Sequence, residues 1–520
     1  MKRASKKHAP TPVYVSPDQL SFDCFITPFE QQLNPKNRWV VLGKVIPWDE
    51  ICNIYLKNIG ISRTGRPPLS PRVVIGSLII KHICNLDDRE TVDQISENIY
   101  MQYFLGYTSF STEPPFDASL FVEFRKRLGM ESINTINERI VSIKNRIEPG
   151  EIPVNIEHEK EDQNGPSDDN TPDLPNKGRV IFDATACPQD IAYPTDLDLL
   201  STAREKSEQL IDILYQPKPH QKKPRTYRKK ARKRYLQTAQ KRNKNRKDIR
   251  NAVRSQLQYL KRNIKTINRL LDAYPFIPLT QKEYKYLLVI STLYEQQKKM
   301  YDSHVHSIED RIVSIHQPHV RPIVRGKSQA KVEFGAKIHV SLVDGYCFLD
   351  ELSWDAFNEG SHMMAYVEQY KKRFGFYPKE LLADQIYCTR ANRAALKEKG
   401  IKLLAKPLGR PSALHHHISP GERNPIEGKF GQAKTGYGLN RIKGRLKGTS
   451  ETWIACIFMV LNLVKLAGEA LLCLISTWNE SLQDKRIKLY SISWRYVKST
   501  TISYFDPVRF AQFRLKCAII

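Results

Sequence analysis

Several features that would indicate common protein classes are missing from this chain. None of its nine cysteines forms a C-x-x-C pair, so neither a zinc ribbon nor a disulfide framework is predicted, and scattered thiols suit a reducing compartment. The basic N-terminus MKRASKKHAP has no apolar core behind it, which argues against a signal peptide. The longest apolar stretch, Trp453 to Ile475, is interrupted by Lys465 and Glu469. Charges are costly in lipid, so we expect a buried helix here and no membrane partner.

Acidic charge is also scarce relative to basic charge. The 520 residues include 82 Lys and Arg but only 55 Asp and Glu, which gives a net charge of +27. A surplus of this size indicates a polyanionic partner, with nucleic acid first and an anionic membrane surface second; a merely basic protein is the remaining alternative. The 41% hydrophobic content is that of a globular protein, and the length predicts two to four domains.

Composition divides the chain into five predicted parts. Residues 150–177 are an acidic linker, because eight acids and two lysines lie among Pro, Asn and Gly between 151 and 177. The other parts are a basic flexible tail (1–20), a helical domain (21–149), an α/β domain (178–450) with a helical insertion at about 197–330, and a C-terminal helical and basic segment (451–520).

The helical domain has the pattern of a helix-turn-helix-like DNA reader. Ser70 and Pro71 predict one helix start, and Thr91 with Gln94 predicts a capping box at another. A third helix, from Asp117 to Gly129, carries a basic cluster that includes Arg125 beside an apolar stripe. A packing or dimerisation module explains the same pattern nearly as well.

The insertion contains the densest positive charge. Residues 222–250 hold fifteen Lys or Arg and one acid, Asp248. Such a run repels itself unless a polyanion neutralises it, which favours contact with phosphates over a solvated face. The predicted DNA contacts in this run are Arg228, Lys229, Lys230, Arg232, Lys233 and Arg234.

Two predicted strands end in aspartate. IFDAT places Asp183 after Val180–Phe182, and LLADQ places Asp384 after Leu381–Ala383. A hairpin around Asp344–Gly345 and alternating helices complete a mixed α/β sheet with helices on its faces, and a later helix offers Glu427. Three acids brought together require a cation, and Mg²⁺ accepts carboxylate and phosphate oxygens. The constellation predicts metal-dependent phosphodiester chemistry.

At these residues the chain resembles the DDE transposases of bacterial insertion sequences. The resemblance spans roughly residues 25–465 and rests on GRPPLSPRVVIGSLIIKHICNLDDRETVDQISENIYMQYFLGY, DATACPQDIAYPTDLDLL, LADQIYCTRANRAALKEKGI and RNPIEGKFGQAKTGYGLNRI. It implies that Asp183, Asp384 and Glu427 are the catalytic, metal-binding triad. Arg423 and Lys434 match two further positions of the family's Tyr-Arg-Glu-Lys signature, whose Tyr position holds Pro420.

The resemblance also implies a fold and an activity. The fold is a ribonuclease H-like, retroviral-integrase-like sheet, with an N-terminal all-helical domain and a basic insertion after the first strand. The activity is Mg²⁺-dependent cleavage at terminal inverted repeats, with Mn²⁺ as a substitute, and joining of the 3′-hydroxyl ends to target DNA. Arg423 and Lys434 would contact phosphates. A homo-oligomer acting on double-stranded DNA in the bacterial cytoplasm is expected. A nuclease without strand transfer and an inactive DNA-binding relative are the alternatives.

Overall fold

The computed structural model describes residues 33–58, 69–143, 175–217, 222–324, 332–405 and 420–469. The predicted basic tail, most of the acidic linker and the C-terminal segment beyond 469 lie outside the described residues.

Six helices precede the sheet among the residues that the structure describes. They are α1 (Arg38–Val45), α2 (Trp48–Asn58), α3 (Pro71–Cys84), α4 (Asp88–Glu97), α5 (Ile99–Phe104) and α6 (Leu120–Ser142). Ser70 and Pro71 begin α3 as predicted. The predicted capping box at Thr91 and Gln94 was wrong, because Asp87 and Glu90 form it one turn earlier and Thr91 lies inside α4.

Helix α6 is longer than its sequence predicted. Gly129 was expected to end it, but the chain bends there through a left-handed conformation (φ 66°) and continues to Ser142. In this extension the Asn137 amide donates to the Cys347 carbonyl oxygen at 3.1 Å. The extension therefore fastens the N-terminal helices to the sheet.

The basic insertion folds into four helices after the first strand. They are α7 (Asp196–Leu214), α8 (Arg228–Ala239), α9 (Arg246–Leu271) and α10 (Gln281–Ser303). Leu200, Leu260 and Ile290 lie in the hydrophobic cluster that these helices share, which is separate from the core around the sheet. The insertion is therefore helical, as predicted, with a core of its own.

The sheet is mixed. Its strands are β1 (Arg179–Pro188), β2 (Arg321–Val324), β3 (Val332–Val343), β4 (Tyr346–Ser353), β5 (Glu380–Leu382) and β6 (Lys402–Leu404). The order is β2-β3-β1-β5-β6 with β4 also paired to β3; β1 is antiparallel to β3 and parallel to β5. The predicted hairpin turns at Asp344 and Gly345, which both have positive φ.

Helices cover both faces of the sheet. Helix α11 (Met363–Phe374) stacks Tyr366 on His339 of β3 with ring centroids 3.6 Å apart. Helices α12 (Arg390–Glu398) and α13 (Asn424–Gly436) follow β5 and β6 respectively. The Lys434 amine of α13 donates to the Thr185 hydroxyl at 2.9 Å, on the opposite face of β1. This α/β architecture with a helical N-terminal region agrees with the sequence prediction.

The last described helix, α14 (Lys447–Glu469), passes through the core. It is the one helix, in the part of the chain described, that is long and apolar enough to span a membrane. Most of it is buried against the N-terminal helices and the sheet, and the Asn462 amide donates to Asn137 at 2.8 Å. The expectation of a buried core helix is confirmed for residues 453–469, and its last residues, 470–475, lie outside the described part of the chain.

Candidate active site

The parallel pairing of β1 and β5 brings two aspartates to the same level of the sheet. Ile181 of β1 is the register partner of Leu382 of β5. Two residues further along each segment stand Asp183 and Asp384. Asp384 follows its strand and caps the short turn Gln385–Tyr387, accepting a hydrogen bond from the Gln385 N–H at 2.7 Å.

The position of Asp183 differs in one respect from the prediction. The first strand was expected to end at Asp183, but it continues to Pro188 because the antiparallel pairing with β3 extends to Gly335. Asp183 is therefore a mid-strand residue beyond the end of the parallel partner β5. Its side chain is about 20% exposed, on the edge left open where β5 stops.

One guanidinium joins the two carboxylates. Arg423 Nη1 lies 3.1 Å from Asp384 Oδ1, and Nη2 lies 3.6 Å from Asp183 Oδ2. The turn that carries Arg423 is held to the sheet by an ion pair between Glu422 and Arg179 of β1. Arg423 was predicted to contact DNA phosphate; in this structure it neutralises two acids instead.

Burial and several charged neighbours shift the pKa of the Asp183 carboxyl group. Burial raises its pKa above the ordinary value, and the charges of Glu359 and Asp384 raise it further. The Ala184 N–H, at 2.8 Å, and the Arg423 guanidinium act in the opposite direction. A cation bound beside Asp183, in addition to Arg423, would therefore stabilise its charged form.

Glu427 lies on the same helix face as two residues that contact β1. Arg423, Glu427 and Lys434 are spaced by four and seven residues, so they follow one stripe of α13 and the residue before it. Both ends of the stripe contact β1 residues on the Asp183 face, through Arg423–Asp183 and Lys434–Thr185. Glu427 itself is exposed in the first turn of α13. Lys434, like Arg423, makes an internal contact where a phosphate contact was predicted.

Glu359 is a carboxylate near Asp183 that the sequence did not single out. It lies in the turn Glu359–Ser361 and pairs with Lys337 at 2.6 Å. Its charge raises the pKa of Asp183 more than the charge of Asp384 does. The residue follows the hairpin in a loop with no periodic pattern, so no local sequence signal identified it.

The two turns that flank the site are locked together. The Asn392 amide donates to the Gly360 carbonyl at 2.7 Å and to the Tyr387 carbonyl at 2.9 Å. A Cβ atom at Gly360 would overlap the Ile386 carbonyl oxygen. The Tyr387 hydroxyl is buried with no hydrogen-bond partner among the described residues, and burial together with the charges of Glu359 and Asp183 raises its pKa.

The carboxylate oxygens of Asp183 and Asp384 supply part of the ligand set that a hard divalent cation requires. Carboxylate oxygens are what Mg²⁺ and Mn²⁺ prefer, and Asp183 and Asp384 already converge on a positively charged group, Arg423. The described residues contain no group of three or more acidic, His or Cys side chains already placed to hold a metal ion. Asp183 and Asp384 are thus brought together by Arg423, whereas Glu427 does not complete a group of three with them.

The predicted DNA contacts of the insertion lie on its surface. Arg228, Lys229, Lys230, Arg232, Lys233 and Arg234 are exposed. Arg228 pairs with Asp212 at 2.7 Å, and Arg234 contacts the Ser255 hydroxyl at 3.4 Å. The exposure leaves this surface accessible to a polyanion.

The prediction that Arg125 contacts DNA needs correction. Arg125 is 3% exposed and makes a bidentate pair with Asp88 at 2.9 and 3.0 Å, beside the buried Lys81. The sequence placed it next to the apolar stripe, but α14 covers that side of α6, and the Thr452 hydroxyl bonds to the Arg125 carbonyl. Helix packing, the alternative left open by the sequence, describes what this residue does.

Comparisons with known proteins agree with this architecture. A family model described as "Transposase domain (DUF772)" matches residues 27–127, and one described as "Transposase DDE domain" matches residues 381–464. The chain is 30% identical over 178 residues to a Rhizobium meliloti protein named "Uncharacterized protein ORF8 in nfe locus", covering 34% of this chain and 72% of that protein. No solved structure matches significantly. The two domains define a transposase, and the chain belongs to the insertion-sequence DDE transposases.

Proposed function

We propose that this protein binds the terminal inverted repeats of its insertion sequence, cleaves the element ends and joins their 3′-hydroxyls to target DNA. The observation that carries the proposal is the alignment of Asp183 with Asp384 through the register of β1 and β5. Their convergence on Arg423 supports a site that attracts cations. The α/β sheet would then be a ribonuclease H-like catalytic domain.

Each candidate residue has a role in this proposal. Asp183, Asp384 and Glu427 would hold Mg²⁺ or Mn²⁺, which when bound stabilises charge on the attacking and leaving oxygens. Arg423 would turn from the two aspartates toward phosphate when a metal takes its place. Lys434 keeps α13 against β1, which positions Glu427.

The chemistry consists of two displacements at phosphorus. Water attacks the phosphodiester at the element end; the bond to the 3′-oxygen breaks and leaves a 3′-hydroxyl and a 5′-phosphate. The 3′-hydroxyl then attacks a target phosphodiester and displaces the target's own 3′-oxygen. Both steps place negative charge at the level of Asp183 and Asp384, where a carboxylate pair alone would repel it.

The other parts of the chain have proposed roles as well. The exposed cations of α8 would grip DNA phosphates without reading sequence. Residues 21–149 would contribute to end recognition from helices that share one hydrophobic core with the sheet of the proposed catalytic domain at 178–450. A homo-oligomer in the bacterial cytoplasm would pair the two ends.

The test is end cleavage by Asp183→Asn and Asp384→Asn, each measured with Mg²⁺ and with Mn²⁺. Asp302→Asn is the matched control, because Asp302 is exposed in α10 and pairs only with Lys298 among the described residues. Both site variants should lose cleavage while keeping DNA affinity, and the control should cleave normally. Cleavage by either site variant at the control's rate would contradict the assignment of that aspartate.

The same assay separates the alternatives. A transposase yields joined products in which the element end is covalently linked to target DNA. A nuclease without strand transfer yields cut ends alone, and an inactive DNA-binding relative yields neither product.

A further inference from the structure

The segment between α10 and β2 lies where the insertion helices meet the sheet. Its His316 Nδ1 is 3.0 Å from the Tyr286 hydroxyl of α10. Its His319 packs edge-on against Trp354 at 4.4 Å, and the Trp354 Nε1–H donates to Glu451 of α14 at 2.8 Å. The segment is therefore clamped between the insertion and the body of the protein.

Five cations from three parts of the chain surround this segment. Beyond burial, Lys206, Arg445 and Lys282 lower the pKa of His316. Burial, Lys285 and Lys447, with Arg321, lower the pKa of His319 to about 4. The cations that we define as the junction cluster are Lys206, Lys282, Lys285, Arg445 and Lys447.

Contacts and helical spacing place three of the five cations independently of these pKa shifts. The Lys206 amine lies over the Tyr286 ring, 5.4 Å from its centroid. Lys282 is one helical turn before Tyr286, and Lys447 is one turn before Glu451. The contact of Lys206 with Tyr286 and the bond from Trp354 to Glu451 thus bring α7, α10 and the start of α14 to the segment that carries His316 and His319.

The junction cluster has two acids nearby, Glu283 beside Lys282 and Glu451 one turn after Lys447, but no direct ion pair with either in the part of the chain that the structure describes. Lys206 donates to the Gln209 amide oxygen at 3.0 Å, and none of the five cations makes an ion pair among the residues that the structure describes. The neighbouring Arg321 differs, because Asp355 at 3.6 Å and Asp310 at 3.9 Å offset its charge. Five cations beside only two acids leave a net positive charge that raises the free energy of the fold, and a bound polyanion offsets that cost.

We propose that the junction cluster is a phosphate-binding surface that holds the backbone of duplex DNA between the insertion helices and the catalytic sheet. The inference rests on the proposed function only in taking DNA as the polyanion. A repeating anion suits the cluster better than a single small one, because five cations on three separate elements exceed what one phosphate group neutralises.

The surface is distinct from the basic run at 222–250. None of the five residues lies in that run, and α8, which carries its densest part, contributes none of them. DNA held by both surfaces would lie along the insertion and reach the sheet. The cluster would therefore position the duplex near the catalytic side chains, and α8 would add affinity further away.

The experiment is the salt dependence of DNA affinity for the full-length double variant Lys285→Gln/Lys447→Gln. Lys379→Gln/Lys397→Gln is the matched control, since both lysines are exposed and lie beside β5 and in α12. Fluorescence anisotropy with a labelled duplex would be recorded at a series of salt concentrations. Counterion release predicts that the magnitude of the log–log slope falls by about two units in the junction variant, one per contact removed, and is unchanged in the control.

A second pair of variants and a competition experiment test the cluster and its ligand further. The pair Lys206→Gln/Lys282→Gln should lower the slope in the same way, with a thermal midpoint close to wild type. Competition with inorganic phosphate and with duplex RNA, at equal phosphate concentration, identifies the ligand. DNA should compete best; stronger competition by either of the others would overturn the choice of DNA.

The outcomes distinguish this inference from the proposed function. An unchanged slope in both junction variants, with wild-type DNA binding intact, would refute the junction cluster alone. Loss of cleavage in Asp183→Asn with a normal slope supports the catalytic assignment whatever the junction variants do. A wild-type protein that does not bind duplex DNA would contradict both proposals.

Discussion

The Lys434 amine donates a hydrogen bond to the Thr185 hydroxyl across 2.9 Å, and Thr185 stands two residues after Asp183 on the same face of β1. This bond sets the distance between α13 and the strand. Glu427 lies between Lys434 and Arg423 on one stripe of α13, so the bond holds the helix face that carries Glu427 near β1.

Removing the Glu427 carboxylate tests whether this geometry is catalytic. Glu427→Gln keeps the size of the side chain but loses a charged oxygen ligand. We expect the end-cleavage rate to fall by more than about a hundredfold, since a metal ligand contributes several kcal/mol to transition-state stabilisation. DNA affinity should be unchanged. The control is Glu398→Gln on the exposed surface of α12; equal cleavage by the two variants would remove Glu427 from the site.

Replacing Lys434 tests the contact that holds α13. Lys434→Met keeps the aliphatic stem and deletes the donor to Thr185. The free energy of unfolding should fall by about 0.5–1.5 kcal/mol, the net value of one hydrogen bond. Lys429→Met is the matched control, because among the described residues its amine bonds only to Gln432 on its own helix. Chemical denaturation that gives both variants the same midpoint would show that the bond to β1 contributes nothing.

The buried ion cluster of the N-terminal helices should have a larger effect on the free energy of unfolding. Asp88 contacts Lys81 at 2.9 Å and Arg125 through two bonds, and both cations are almost completely buried. Asp88→Asn removes the carboxylate that contacts both buried cations and should cost about 3–5 kcal/mol. Asp93→Asn, exposed on the same helix, should stay within about 0.5 kcal/mol of wild type.

The lowered pKa of Asp88 makes the stabilisation by this cluster depend on pH. Burial alone would raise the pKa, but the bonds and charges of Arg125 and Lys81 hold it below the ordinary value. The carboxylate therefore stabilises the fold above the pKa of an unfolded aspartate, and that contribution is lost as the pH falls through the folded value. The difference in unfolding free energy between wild type and Asp88→Asn should shrink in that acidic range.

The lowered pKa of His319 predicts a second pH dependence of stability, at higher pH than that of Asp88. Burial and neighbouring cations lower its pKa to about 4, so between the ordinary histidine value and about 4 the unfolded chain binds a proton that the folded chain does not. Stability should decline as the pH falls through this window. His319→Asn should flatten that decline, measured as the thermal midpoint at several pH values. His306→Asn, at an exposed position, should leave the wild-type curve unchanged.

Gly360 links stability to the site. A methyl group there would overlap the Ile386 carbonyl oxygen and push the turn that carries Glu359 away from the turn capped by Asp384. Gly360→Ala should lower the thermal midpoint and reduce cleavage. Gly431→Ala has open space at its Cβ inside α13, and should raise stability by about 0.5–1 kcal/mol. Two shifts of the same sign would contradict the steric reason.

Local pattern was a reliable guide where one interaction between neighbours in sequence decides the structure. Asp344–Gly345 forms the hairpin turn and Gly375 ends α11, because both need positive φ values that few other residues adopt. The apolar stripe of Phe121, Phe124 and Leu128 is buried as expected. Capping was less predictable: Thr91 and Gln94 have the right spacing, but Asp87 and Glu90 have it too and begin the helix earlier.

Residue identities and composition thus determined that the chain is a basic α/β protein with a helical insertion, and they marked Asp183, Asp384 and Glu427 as candidates. Only the tertiary structure decided that Asp183 and Asp384 are level, because strand register joins residues about two hundred positions apart. It also decided that Arg125 is buried, that Arg423 bridges the aspartates, and that Glu359 approaches Asp183. Burial and pairing depend on the surfaces that other elements cover, and no local pattern contains that information.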